Sequence, residues 1–217
     1  MKIVFFGDSI TDMGRNRDCA GQEIFGYGSG YPMFVAGSLY GENPVRHKVV
    51  NRGIGGNRIV DLYARIKADV WNLNPDVLSI LIGINDVWHE IMGKNGVDPE
   101  RFEKVYRMLI EDTLKRLPNI KTVLCEPFVL EGSATGTKDS ETFLKFREIY
   151  KYAAIVKKLA EEYGLYFLPL QKRFDEAAER FGAEHYLYDG VHPMVAGAKL
   201  IADEWLKLFR EKIEVEK

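Results

Sequence analysis

The chain has 217 residues, 46% hydrophobic and 29% charged, with a formal net charge of -2, a balance that predicts one ordinary globular domain over residues 1–217. Near-neutral charge without a basic cluster argues against nucleic acid as a standing partner, because phosphate binding needs concentrated Lys and Arg; Lys157-Lys158 and Lys172-Arg173 read as solvated helix faces. No stretch is apolar and long enough to span a bilayer, and no basic segment followed by an apolar run opens the chain, so neither a membrane partner nor a leader is expected and the location expected is cytoplasmic.

Taken in chain order, short β-rich runs alternate with longer helical patterns. The first run, residues 2–6, breaks at Gly7 into Asp8-Ser9-Ile10-Thr11. This puts a serine at the carboxyl end of a buried strand, where open α/β sheets carry their chemistry. Residues 11–29 are rich in Gly, Arg, Asn and Asp without periodicity and are expected to form a loop over the site. Residues 31–40 and 59–72 follow as helices around a strand at 48–51, and a very apolar strand is expected at 77–82. In the helix expected at 99–117, Phe102, Val105, Tyr106 and Leu109 recur with the period of one buried face, Asp98-Pro99 caps its start and Pro118 stops it. A strand at 122–125 leads into an irregular stretch, 131–140, at the same edge of the sheet. Helix 141–163, strand 166–168 and helix 195–212 complete the chain. Strand and helix in alternation mean parallel pairing through right-handed crossovers, hence a three-layer α/β/α fold around a five-stranded parallel sheet. Cys19 and Cys125 lack metal-ligand spacing and fit two unrelated thiols in a reducing compartment.

Four segments, each just past a predicted strand or just before a helix, bear on chemistry. Ser9 reads either as a helix N-cap or as a nucleophile awaiting a base. In Asn51-Arg52-Gly53-Ile54-Gly55-Gly56-Asn57 the glycines let backbone N–H groups face an anion, although the spacing is not that of a dinucleotide fingerprint and the segment taken alone reads first as a bare turn. Asn85, in Ile82-Gly83-Ile84-Asn85-Asp86, can direct its amide across the sheet edge toward an oxyanion, or serve an Asx-turn with Asp86 as a helix cap. In Asp189-Gly190-Val191-His192-Pro193, a carboxylate three residues before a histidine can point back at the imidazole and set its tautomer. His47, His89 and His185 have no such partner and read as structural or solvent-facing. Jointly, the four segments supply a nucleophile, an acid–base pair and oxyanion donors, the parts of a serine hydrolase.

The motif set resembles the SGNH hydrolases of the GDSL type over nearly the whole chain, through Gly7-Asp8-Ser9, Gly53-Ile54-Gly55-Gly56-Asn57, Gly83-Ile84-Asn85-Asp86 and Asp189-Gly190-Val191-His192-Pro193. The resemblance implies a flavodoxin-like strand order, 2-1-3-4-5, and no required metal or other cofactor. It maps the family's invariant positions onto Ser9, Gly56, Asn85 and His192. The implied reaction is acyl transfer: His192, held by Asp189, takes the Ser9 proton, and Ser9 N–H, Gly56 N–H and the Asn85 amide receive the oxyanion. The α/β-hydrolase elbow G-x-S-x-G belongs to a different lineage.

The text around Ser9 and Gly83-Ile84-Asn85-Asp86-Val87-Trp88 is similar to the branch of intracellular acetylxylan esterases, which implies a short-chain, acetyl-releasing activity on carbohydrate such as xylo-oligosaccharides. Asp8, Trp88 and Tyr188 are the candidate substrate contacts, the two aromatics offering faces that suit pyranose rings or else core packing. That branch carries tryptophan immediately before the aspartate, where this chain has Tyr188. A lysophospholipase or thioesterase of the same family is the alternative ester chemistry. A non-catalytic carbohydrate-binding domain and a nucleotide-binding flavodoxin-like module are the readings outside hydrolysis. Aromatic content and family precedent leave room for a homo-oligomer.

Overall fold

A computed structural model describes residues 1–19 and 23–216; residues 20–22 of the expected 11–29 loop lie outside the described residues. Five parallel strands, β1 (Lys2–Gly7), β2 (Lys48–Gly53), β3 (Val77–Leu81), β4 (Lys121–Cys125) and β5 (Tyr166–Leu168), pair in the order β2-β1-β3-β4-β5. The helices are α1 (Ser9–Asp12), α2 (Tyr31–Glu42), α3 (Ile59–Asp69), α4 (Ile84–Gly93), α5 (Pro99–Arg116), α6 (Glu141–Phe146), α7 (Ile149–Glu162), α8 (Gln171–Phe181) and α9 (Val195–Leu208). The α/β/α layering and the strand order are those expected.

The central strands are apolar on both faces because both are covered. Ile3 to Phe6 are fully buried, as parallel sheets require when crossover helices shield each side. Alternate residues choose their layer: Phe5 packs edge-on against Tyr31 of α2 and Trp205 of α9, with centroids 5.3 and 4.9 Å away, whereas Phe6 lies under the Arg65 guanidinium of α3 at 4.4 Å. Helices α2 and α9 pack together on the first face, and α3, α5 and α7 form the row on the second. The register pairs Gly7 with Gly53 and with Leu81, and Leu81 with Cys125. The carboxyl ends of neighbouring strands therefore finish level and deliver their following loops to one edge. The reversal of strand order at β1 opens the crevice there.

Four elements differ from expectation. Residues 9–12 form a short helix, which takes in Thr11 and Asp12 of the expected 11–29 loop. Residues 84–93 and 171–181 are helical; Asn85-Asp86 read as turn chemistry, yet Ile84, Val87, Trp88 and Ile91 carry the helical spacing of three, four and seven. The helix expected at 141–163 is broken at Arg147-Glu148, where Glu148 N–H bonds to Lys145 O and Tyr150 N–H to Arg147 O, each three residues back. This tightening keeps Phe143, Phe146, Ile149 and Tyr152, spaced by threes, on the buried side.

Candidate active site

Strand β1 ends at Gly7, and Asp8 turns the chain into α1. Asp8, not Ser9, is the N-cap: its Oδ1 accepts the Ile10 N–H at 3.0 Å. The serine is thereby free to face outward. Its Oγ lies 2.8 Å from His192 Nε2, and His192 Nδ1 lies 2.7 Å from Asp189 Oδ2. An ionised carboxylate only accepts, so the Asp189 contact keeps the proton on Nδ1 and leaves Nε2 to accept from the Ser9 hydroxyl. Asp189 Oδ1 meanwhile accepts the N–H groups of Val191 and His192, at 2.9 and 2.8 Å. Burial by itself would raise the Asp189 pKa, but the His192 side-chain bond and these two backbone donors outweigh it and hold the carboxyl below its usual range. The same bond from Asp189 raises the His192 pKa above 6.5 against partial desolvation.

The loop after β2 is tied to the serine turn by residues that sequence reasoning did not single out. Asp12 Oδ2 accepts the Gly55 N–H at 3.0 Å, and Arg15 Nε donates to Gly53 O at 2.8 Å. Asn51 caps the strand end by accepting the Gly53 N–H, while its amide donates to Thr11 O and Tyr27 O. A Cβ built on Gly55 would lie 3.8 Å from Ser9 Cβ, and one on Gly56 would meet nothing within 4 Å. The glycine segment thus runs beside Ser9 with an open side at Gly56. Asn85, in the first turn of α4, donates from Nδ2 to Asn57 O at 3.1 Å, which joins the loops after β2 and β3; its nitrogen carries a second hydrogen. Asp86 is not a cap of its own helix. Its carboxylate accepts the Ile59 N–H, at 3.1 and 3.3 Å, at the start of α3.

Two aromatic rings flank the imidazole. Tyr188 stacks on His192 with centroids 5.5 Å apart and planes 14° from parallel, and it is 53% exposed. Trp88 sits 5.8 Å from the same ring at 50° and meets Phe146 edge-on at 5.4 Å. Asp8 departs from the expectation that it contacts substrate. It is 1% exposed and lies beneath the serine turn, and burial pushes its pKa from 3.8 up to about 7 despite the Ile10 N–H and the nearby His192. A side chain covered in this way caps α1 and offers substrate no surface.

Residues 5–200 match the GDSL-like lipase/acylhydrolase family. The chain belongs to that family. It is 37% identical over 212 residues to the acetylxylan esterase of Geobacillus stearothermophilus, an alignment covering 95% of this chain and 92% of the relative. The crystal structure of that esterase superposes with a TM-score of 0.82 at 36% identity, covering 95% of this chain and 92% of that one. A Parabacteroides merdae protein described as a GDSL-like lipase superposes at 0.89 with 39% identity, covering 97% and 96%. The protein is accordingly a carboxylic ester hydrolase acting on an ester substrate. Among the described residues, no helix of this esterase is long and apolar enough to cross a membrane.

Proposed function

We propose that this esterase removes short acyl groups, acetyl foremost, from acetylated carbohydrate such as xylo-oligosaccharides, through an acyl-enzyme formed on Ser9. The observation that carries the reading is the unbroken line from Ser9 Oγ to His192 Nε2 and from His192 Nδ1 to Asp189 Oδ2. His192 takes the hydroxyl proton as Ser9 Oγ attacks the ester carbonyl, and Asp189 stabilises the imidazolium that forms. Ser9 N–H, Gly56 N–H and the second Asn85 amide hydrogen receive the oxyanion. His192 then protonates the departing sugar oxygen, and water, deprotonated by the same imidazole, releases the acid from Ser9. The Geobacillus esterase supports the roles by analogy: it has been crystallised as catalytic mutants with its serine, an aspartate or a histidine replaced by alanine.

The acetyl-carbohydrate assignment rests on the likeness to acetylxylan esterase and on Trp88 and Tyr188, whose rings border His192 and can take the apolar face of a pyranose. Cytoplasmic residence belongs to the same reading and is supported by two free cysteines, Cys19 and Cys125. Ser9→Ala is expected to abolish hydrolysis of 4-nitrophenyl acetate; retention of the parental rate would remove Ser9 from the chemistry. A panel of acetylated xylo-oligosaccharides, acetylated hexoses, lysophospholipid and acyl-CoA, read by released acid, tests the substrate. Activity that keeps rising with acyl chains longer than butyryl would favour the lysophospholipase or thioesterase reading instead.

A further inference from the structure

The acid–base turn is held from behind by a segment outside the four motifs. After β4 the chain forms a small closed loop in which Gly132 and Gly136 exchange backbone bonds of 3.1 and 2.8 Å. The Ala134 and Thr135 N–H groups both donate to Asp189 O, at 3.1 and 3.3 Å, and Leu130 N–H donates to Gly190 O at 2.9 Å. These bonds grip the backbone immediately after the carboxylate that faces His192, at the Asp189 and Gly190 carbonyls. Thr135 closes the loop across its base: its hydroxyl donates to Leu130 O at 2.7 Å, and the residue is 0% exposed. The fit is tight, since a Cβ on Gly190, whose φ is +95°, would fall 2.1 Å from Thr135 Oγ1 and 2.5 Å from Leu130 O. On its other side the segment borders a cavity of about 670 Å³ lined in part by Leu130, Glu131 and Lys138.

We propose that Thr135 is a positioning residue for the acid–base pair: by closing the 130–136 loop it fixes the main chain from which Asp189 is aimed at His192. The physical basis is that a hydrogen bond between a short carboxylate and an imidazole tolerates little displacement, and the Asp189 side chain has only two rotatable bonds with which to compensate. The charged groups that act on His192 are Asp189 in front and Asp8 beneath, and only Asp189 is gripped by the loop. The inference rests on the reading of Asp189 and His192 as the acid–base pair.

Thr135→Val keeps the shape and removes the hydroxyl. Its kcat on 4-nitrophenyl acetate is expected to fall about tenfold, a fraction of what a general base contributes, with KM nearly unchanged. The rising limb of the pH profile should move down toward 6.5, because the Asp189 bond that raises His192 is weakened. The low-field proton resonance of His192 Nδ1 should move upfield for the same reason. Thr135→Ser, which retains the hydroxyl, is expected to recover most of the lost kcat and the parental limb. A loop that only adds stability would lower Tm in Thr135→Val and leave both limb and resonance in place; that result, or a serine variant as impaired as the valine one, overturns the proposal. If Thr135→Val does not fold, Gly136→Ala takes its place. Its φ of +84° and a new Cβ 2.3 Å from Ser140 Oγ loosen the far side of the loop, and the same shifts are expected. A folded Gly136→Ala with faster amide exchange at Ala134 and Thr135 but an unmoved pH limb also overturns it. His192→Ala separates the two readings: parental activity there defeats the acid–base assignment, whereas an inactive His192→Ala beside an unaffected Thr135→Val defeats the positioning role alone.

Discussion

At the scale of single residues, the environment assigns opposite ionisation behaviour to two aspartates close to the same serine. Asp189 is held ionised by three donors, and it raises the pKa of His192. In the proposed mechanism His192 must be neutral to accept the Ser9 proton, so kcat/KM should climb with pH along a limb centred above 6.5. Asp189→Asn removes the charge and misdirects the tautomer, so the limb should drop and turnover should fall about 10²–10⁴-fold; a pH–rate series on both proteins checks this. Asp8 is the reverse case. Its folded pKa lies near 7 against 3.8 for an exposed carboxyl, so the native state binds a proton that the unfolded chain releases. Folding stability from this group is intact below the unfolded value and declines as pH rises through the window between the two. Asn caps a helix as well as Asp does and does not ionise. Asp8→Asn should therefore match the parent near pH 4 and exceed it near pH 8, by at most about 4 kcal/mol for a shift of this size. Thermal unfolding at the two pH values reads the difference.

At the scale of elements, helix periodicity was legible where one face is apolar and hidden where turn chemistry interrupts it. Helix α5 carries both its cap and its stop in local sequence, and Asp98 Oδ1 does accept the Arg101 N–H at 2.9 Å. Helix α4 opens with Gly83-Ile84-Asn85-Asp86, residue types that favour turns; its polar start serves neighbouring loops instead. Asp86 shows the consequence, since its buried carboxylate satisfies the first N–H of α3 from 27 positions away. Asp86→Ala would leave the Ile59 N–H unpaired. The expected cost is about 1–3 kcal/mol, or a Tm lower by roughly 2–4 °C per kcal/mol for a chain of this length. Asp86→Asn, which still presents an oxygen, should lose less. A variant pair with equal Tm values would mean that the bond to α3 contributes nothing.

For the whole molecule, the two ends of the chain are brought together by packing across one face of the sheet. Helix α9 follows directly from the His192-Pro193 turn, and it lies against α2, which follows the serine turn. Trp205 anchors that arrangement: it is fully buried, meets Phe5 of β1, stacks on Phe209 at 5.1 Å and donates to Ser79 Oγ of β3 at 3.0 Å. Trp205→Ala is expected to cost about 3–5 kcal/mol. Its activity should be lost at a lower temperature than the parent's, in parallel with unfolding followed by circular dichroism. Activity lost well below the unfolding transition would show instead that the Ser9–His192 contact responds to α9 before the fold does.

The sequence by itself determined the α/β class, because apolar runs and helical periods are local patterns that burial on a two-sided sheet imposes on the chain. It also offered candidate residues, Ser9 and Asn85 just past predicted strands and the Asp189–His192 turn just before a helix. Only the tertiary structure decided which of them meet. Ser9 and His192 are 183 positions apart and come within 2.8 Å because strand register and helix packing converge there, and neither leaves a periodic trace in either segment. The same long-range geometry buried Asp8 beneath the turn, turned Asp86 toward α3 and set Thr135 behind Asp189. Burial and hydrogen-bond partnership are properties of the surroundings, so a residue's sequence neighbours do not specify them.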